Sequence, residues 1–98
     1  MKKIYVAHPH LGKRSNKRKV EKIIKRLFKE NPDMLYISPI HTFGFIYFDV
    51  EYYYGLTYCL KLLESCDELW LCEGWEKSEG CKIEHDYAKK HGIPIKYL

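Results

Sequence analysis

Four short apolar segments, separated by segments with helical periodicity, constrain the fold of this chain more than any other feature. The apolar segments are residues 3–7, 34–38, 68–72 and 93–97. They are rich in β-branched, aromatic and aliphatic side chains, and they lack the clean alternation that marks a strand with one solvent-exposed face. We therefore predict four strands that are covered on both faces.

Three helices are predicted between these strands. The first is capped by Ser15 or Asn16, carries apolar residues at helical spacing, and ends near the stop signal Asn31-Pro32. The second is expected over residues 51–65, and the third over residues 80–90 with Gly92 as its stop. Residues 39–50 are expected to form a loop after Pro39 closes the second strand.

The order βαβαβαβ predicts an α/β fold: a small doubly wound, Rossmann-like or flavodoxin-like three-layer sandwich around a parallel four-stranded sheet. Right-handed crossovers give the strand order 2-1-3-4. A chain of 98 residues supports one domain, residues 1–98. Ligands of such sheets bind outside the carboxyl ends of the strands, where the strand order reverses. The loops that begin at His8 and Glu73 are therefore expected to converge.

Composition excludes several classes of protein. No stretch approaches the roughly 20 apolar residues of a membrane span, and the N-terminus lacks the apolar core of a secretory signal. We therefore expect a soluble, cytoplasmic protein with no membrane partner. The four cysteines form no CxxC pair and no histidine pair has zinc-finger spacing, so we expect reduced, mostly buried thiols, with no metal and no cofactor.

The net charge of +4 hides an asymmetry along the chain. Residues 1–29 carry eleven lysines and arginines and one acid, whereas residues 49–86 carry ten acids and three lysines. This separation could steer an anionic ligand or favour head-to-tail self-association, or the charges could simply lie on solvated helix faces. Binding of nucleic acid by the basic segment is disfavoured by the many acids in the other half.

The start of the third predicted helix is a candidate anion site. Ser78 stands where a helix N-cap is expected, and Gly80 permits close approach to the backbone. Free N–H groups and the helix dipole favour a phosphate at such an end. The alternative is a plain serine cap followed by a glycine in the first turn.

Glu84 is the candidate functional carboxylate. On a helix it shares a face with Cys81 and Ala88, small residues that indicate packing toward the sheet. A carboxylate turned inward needs a partner or must keep its proton, and perturbed carboxyl groups near clefts are candidates for functional sites. The alternative is a side chain that reaches outward to solvent or to a neighbouring lysine.

His8 and His10, at the mouth of the first strand, could contact an anion or a base, or could simply end the strand. The basic residues from Lys13 to Lys19 could add phosphate contacts or form the solvent-exposed face of a helix. The chain contains no Walker loop and no GxGxxG turn.

Eight of the fifteen aromatic residues lie within residues 43–58. They are Phe43, Phe45, Tyr47, Phe48, Tyr52, Tyr53, Tyr54 and Tyr58. Aromatic side chains stack on bases and are enriched at subunit interfaces. We expect Phe43, Phe45, Tyr52 and Tyr53 to wall the pocket or to form the interface of a homodimer or larger homo-oligomer; ordinary core packing is the alternative.

Four segments of the chain form a recognisable set of motifs. They are residues 4–9 (IYVAHP), residues 66–71 (CDELWL), residues 74–88 with the pattern GWE-x-S-x-GC-x-x-E-x-x-x-A, and residues 92–95 (GIPI). Together they resemble the nucleoside 2-deoxyribosyltransferase-like superfamily, in particular its small, poorly characterised branch. The resemblance covers nearly the whole chain, and its third motif is the most specific.

The resemblance implies roles for individual residues. Glu84 matches the helix glutamate that attacks or stabilises the anomeric carbon, and Ser78 matches the serine that contacts phosphate in the relatives that hydrolyse deoxynucleoside monophosphates. Tyr5 matches an aromatic residue that lines the pocket. The motif also implies that Gly74, Trp75 and Cys81 lie beside the ligand. These enzymes carry an aspartate where this chain has Cys59, and that departure argues against catalysis.

Two functions are therefore predicted for the same pocket. The first is binding of a nucleotide or nucleotide-derived small molecule, as a sensor or sequestering protein for a signalling nucleotide. The second is cleavage of the N-glycosidic bond of a (deoxy)nucleoside 5′-monophosphate, with Glu84 as nucleophile. The departure at Cys59 favours the first.

Overall fold

The four strands form one parallel sheet in the order β2-β1-β3-β4. A computed structural model describes residues 1–47 and 49–98; Phe48 of the aromatic cluster lies outside the described residues. The elements are β1 (Lys2–Ala7), α1 (Arg14–Glu30), β2 (Met34–Ile37), α2 (Pro39–Phe43), a 3-10 turn (Gly44–Ile46), α3 (Tyr52–Glu64), β3 (Glu68–Leu71), a second 3-10 turn (Trp75–Lys77), α4 (Glu79–Lys90) and β4 (Ile95–Tyr97). The predicted fold class and strand order are confirmed.

The central strand β1 is buried on both of its faces. Ile4 and Val6 pack under α1 in one core cluster, with Val20 among its residues. Tyr5 and Ala7 point to the opposite face, into the cluster formed with α3 and α4. Since each successive side chain of a strand alternates between faces, two apolar faces require a continuous apolar run. This explains why the sequence of the strand does not alternate.

The prediction of a loop over residues 39–50 was wrong for residues 39–46, which form a short helix and a 3-10 turn. Pro39 begins the short helix α2, and the Oγ of Ser38 accepts a hydrogen bond from the backbone N–H of His41 as an N-cap. Proline suits the first position of a helix, because its missing N–H would have no helical partner there. The proline therefore both ends β2 and starts a helix.

The start of α1 and the start of β4 also differ from the prediction. Helix α1 follows Lys13 without a side-chain cap, and the amide of Asn16 donates instead to the backbone oxygen of His10, 2.8 Å away. Strand β4 begins at Ile95 rather than at residue 93. Gly92 turns the chain at the end of α4 with a φ of 70°. The N–H of Ile93 then donates a hydrogen bond to the backbone oxygen of Ala88, so Ile93 belongs to the end of the helix and not to the strand.

All four cysteines are buried and free. Within residues 1–47 and 49–98, no helix combines the length and apolar character needed to cross a membrane.

Candidate functional site

A cavity of about 400 Å³ lies at the carboxyl edge of the sheet. The loop after β1, helix α2 with the turn that follows it, and the first turns of α3 and α4 surround it. Its lining residues are His8, His10, Leu11, Gly12, Pro39, Ile40, Tyr47, Glu51, Tyr52, Gly55, Leu56, Cys59, Ser78, Glu79, Gly80, Cys81 and Glu84. The segment after β1 and the start of α4 therefore converge at the point where the strand order reverses.

Glu84 lies in this lining although its side chain is only 5% exposed. Cys81, Glu84 and Ala88 are the buried residues of α4 and lie on one face of the helix. Burial raises the pKa of Glu84 to about 7, and the hydrogen bond from Tyr5 opposes this rise. The side chain does not reach outward to solvent or to a lysine.

Tyr5, on strand β1, forms a hydrogen bond with Glu84. Its side chain is fully buried in β1, and its hydroxyl donates a hydrogen bond to the Glu84 carboxylate. Burial and the neighbouring carboxylate raise the pKa of Tyr5 well above its ordinary value, so the phenol keeps its proton. Tyr5 lies beneath Glu84 and orients it, rather than forming part of the cavity wall.

The N-termini of α3 and α4 meet at the mouth of the cavity. The Oγ of Ser78 accepts a hydrogen bond from the Cys81 N–H at 3.3 Å, as the predicted N-cap of α4. The Tyr53 hydroxyl donates to Glu79 at 2.6 Å. A methyl group at Gly80 would lie 3.1 Å from the Tyr52 hydroxyl, so glycine allows this close approach between the two helices.

Both predicted histidines line the cavity. The His8 Nδ1 lies 2.6 Å from the backbone oxygen of Pro9. The His10 Nδ1 is buried and has no hydrogen-bond partner among the described residues. Burial, with Lys17 and two other histidines nearby, lowers the pKa of His10, so its ring is neutral at neutral pH.

Cys59 and Tyr47 form part of the wall close to Glu84. The Cys59 Sγ and the Tyr47 hydroxyl are 3.6 Å apart, and burial raises the pKa of both groups. Both stay protonated at neutral pH. Sequence reasoning did not select Tyr47: it belongs to the aromatic cluster, but only the turn after α2 decides which of those rings points inward.

The other predicted residues divide between the rim and the exterior. Tyr52 lines the cavity, and Tyr53 reaches the rim through Glu79. Phe43 packs against Tyr58 with ring centroids 6.0 Å apart, and Phe45 is 81% exposed; neither belongs to the lining.

Gly74 and Trp75 also lie outside the lining. Gly74 has a φ of 89°, a left-handed conformation that suits glycine, and it turns the chain after β3. Trp75 stacks on His85 with ring centroids 4.5 Å apart. Within the described part of the chain, no three His, Cys, Asp or Glu side chains are grouped so that they could hold a metal ion.

The all-parallel sheet, its order β2-β1-β3-β4 and a cavity at the reversal of that order define a doubly wound α/β domain. More specifically, the chain belongs to the DUF4406 family, a domain of unknown function, whose family model matches residues 2–97. No curated protein and no solved structure matches the chain.

Proposed function

We propose that this domain binds a nucleotide or a nucleotide-derived small molecule in the cavity, as a sensor or sequestering protein. The observation that carries the proposal is the Glu84 carboxyl group, which is buried, bonded to Tyr5 and placed in the lining of a cavity at the carboxyl edge of the sheet. A buried titratable carboxyl group in the lining of a cavity is a candidate for ligand recognition.

Four features support a nucleotide as the ligand. The volume of about 400 Å³ lies within the range of small-molecule sites, roughly 300–1,000 Å³. Tyr47 and Tyr52 offer rings against which a base can pack, and Glu84 can accept hydrogen bonds from ribose hydroxyls. The start of α4 at Ser78 and Gly80 suits a phosphate. On the same grounds we propose that the family belongs with the nucleoside 2-deoxyribosyltransferase-like proteins.

A second candidate function is cleavage of an N-glycosidic bond with Glu84 as nucleophile or electrostatic stabiliser. The specific observation in its favour is the orientation of the Glu84 carboxylate by the Tyr5 hydroxyl at the cavity. A carboxylate stabilises the positive charge that develops at an anomeric carbon. The thiol of Cys59 beside it is a weaker acid than a carboxyl group, and this favours binding without turnover.

A ligand panel separates the two candidates. We expect nucleotides to raise the melting temperature of the protein, and we expect Glu84→Gln to weaken this effect while Glu30→Gln, an exposed change on α1, leaves it intact. Free base measured by chromatography identifies the enzyme if Glu84→Gln abolishes its release. Binding without release at high protein concentration identifies the binder.

Analysis of the freshly purified protein gives an independent test. Heat denaturation followed by mass spectrometry of the supernatant should show a stoichiometric nucleotide if the domain sequesters one. A clean supernatant together with no thermal shift across nucleosides and nucleotides would contradict both candidate functions.

A further inference from the structure

The charges in the cavity lining have one sign. The lining contains three carboxyl side chains, Glu51, Glu79 and Glu84, and the described residues contribute no lysine and no arginine to it. Of the two histidines in the lining, His10 is held neutral by its surroundings. The lining, and its mouth above all, therefore suits a group with positive charge better than one with negative charge.

The two outer carboxylates are fixed in place by hydrogen bonds. Glu51 caps α3 and accepts from the N–H groups of Tyr53 and Tyr54, both at 3.1 Å. Glu79 accepts from the Tyr53 hydroxyl at 2.6 Å. Because these bonds hold both side chains at the cavity mouth, their position is set before a ligand arrives.

Aromatic rings line the cavity together with these carboxyl groups. Tyr47 and Tyr52 both line the cavity, and burial raises the pKa of each phenol, so both rings stay neutral. The face of a neutral aromatic ring attracts a cation. Carboxylates and ring faces together form the chemistry that recognises a flat, positively charged heterocycle.

The other acids near Glu84 are poor proton donors, and Glu84 itself is used here in its charged form, as the carboxylate that faces the anomeric carbon. Burial raises the pKa of the Cys59 thiol and of the Tyr47 and Tyr5 phenols, and His10 is already deprotonated. A neutral purine or pyrimidine leaves its sugar as an anion unless an acid protonates it. A base that is already cationic leaves as a neutral molecule and requires no such acid.

From these features we propose that the ligand is an N-glycoside with a cationic aromatic base, a pyridinium nucleoside or nucleotide whose charged ring lies among Glu84, Glu79 and the tyrosines. This inference rests on the proposed function and narrows its ligand class. A phosphate on such a ligand would lie at the start of α4, where Ser78 and Gly80 line the cavity, as in the proposed function.

Hydrolysis of such a ligand requires no general acid, because the leaving base needs no proton. The bond between the anomeric carbon and the ring nitrogen breaks, and its electron pair remains on the nitrogen, which loses its positive charge. A water oxygen bonds to the anomeric carbon, either directly or after a Glu84 oxygen has done so. The water supplies the hydroxyl of the sugar, and its second proton is released to solvent. One proton therefore appears for each base released.

Nicotinamide riboside and its 1,4-dihydro form provide a matched pair of probes, because they have nearly the same shape but only the first is charged. By isothermal titration calorimetry we expect the cation to bind at least about tenfold more tightly, in keeping with cation–π and carboxylate contacts. Glu79→Gln should reduce this preference severalfold, and Glu30→Gln on α1 should leave it unchanged. If the base is released, a weakly buffered assay should record one proton for each nicotinamide.

Uncharged nucleosides and deoxynucleoside monophosphates complete the experiment. If these or the dihydro form bind as tightly as the cation, the inference on ligand class is wrong while the proposed function stands. If the cation binds more tightly but Glu79→Gln does not alter the preference, the assignment of the charged ring to this lining is wrong. If no member of the panel binds, the proposed function and the inference both fail.

Discussion

At the scale of single residues, the Glu84–Tyr5 pair has the largest energetic consequence. Removing a carboxylate from water is costly, and one hydrogen bond from Tyr5 does not fully compensate the loss of solvation. The pKa of Glu84 is therefore raised to about 7. A buried group that changes charge near neutral pH links pH to stability, and in the proposed function it links both to ligand binding.

The first prediction concerns the pH dependence of stability. The native state keeps the Glu84 proton between pH 4.5 and about 7, where the unfolded chain has lost it, so the free energy of unfolding falls as pH rises across this window. The contribution of Glu84 to this fall is about 3 kcal/mol. Glu84→Gln should lack this fall, so the stability of the variant should rise relative to that of the wild type as pH rises.

Urea denaturation of both proteins from pH 4 to pH 8 measures this difference. The comparison cancels other titrations, such as those of Glu21 and Glu68, whose lowered pKa values act in the opposite direction. Glu30→Gln serves as the control. A difference between wild type and Glu84→Gln that stays constant over the window would show that Glu84 is not buried as described.

At the scale of elements, the start of α4 is the proposed phosphate-binding segment. Ser78 caps the helix and is itself buried in the cavity wall, and Gly80 lets the Tyr52 hydroxyl approach α4. The cap stabilises the helix whether or not a ligand is present. Its functional role can therefore be tested only with a substitution that preserves capping.

Ser78→Asp is such a substitution, because aspartate caps helices as well as serine does. We expect the cap to be kept at some cost in stability, because the new carboxylate is partly removed from water, and phosphorylated ligands to bind about tenfold or more weakly through charge repulsion. Nucleosides without phosphate should lose much less affinity. Calorimetric titration of a nucleoside and its monophosphate measures both effects.

Ser65→Asp is the matched control, since it adds the same charge at the far end of α3, outside the cavity lining. Ser65→Asp should change neither the affinity for the nucleoside nor the affinity for its monophosphate. Equal weakening of nucleoside and monophosphate by Ser78→Asp would refute a phosphate at this helix end.

At the scale of the whole molecule, the two faces of the sheet carry different surfaces. Helix α1 presents a row of exposed lysines and arginines on one face. The opposite side carries the aromatic surface of Phe45, Tyr52, Tyr53, Tyr54 and Tyr58, all between 43% and 81% exposed. A set of exposed aromatic rings of this kind is typical of a protein interface.

We expect the protein to form a homodimer or larger homo-oligomer through this aromatic surface. Tyr54→Glu with Tyr58→Glu should dissociate it, because two buried, unpaired charges oppose association. Leu35→Glu, an exposed change on the edge strand β2, should not. Light scattering coupled to size-exclusion chromatography gives the masses, and a wild-type protein that runs as a single chain at high concentration would contradict the expectation.

Much of this architecture could be predicted because it depends on local patterns. Each strand of the sheet appears in the sequence as a short apolar run, and Ser78 was predicted as the cap that begins α4. The inward direction of Glu84 followed from the small neighbours Cys81 and Ala88 on the same helical face. These inferences need only periodicity and the chemistry of side chains near one another in sequence.

Other features could not be predicted, because they depend on contacts between distant segments. Tyr5 was expected to line the pocket, but it lies beneath Glu84, 79 residues away in sequence, and bonds to it. Helix α2 was missed since Pro39 was interpreted only as the end of a strand. Without that helix and the turn after it, nothing in the sequence distinguishes Tyr47, which faces the cavity, from Phe45, which faces solvent.

The sequence by itself determined the four strands, three of the helices, the order of the sheet and the inward face of α4, because hydrophobic periodicity and crossover handedness specify them. Only the tertiary structure decided which rings, carboxylates and thiol surround the cavity and how far burial perturbs Glu84. Those properties depend on the distance and solvent exposure of side chains brought together from β1, α2, α3 and α4, and such distances are not encoded in any single segment.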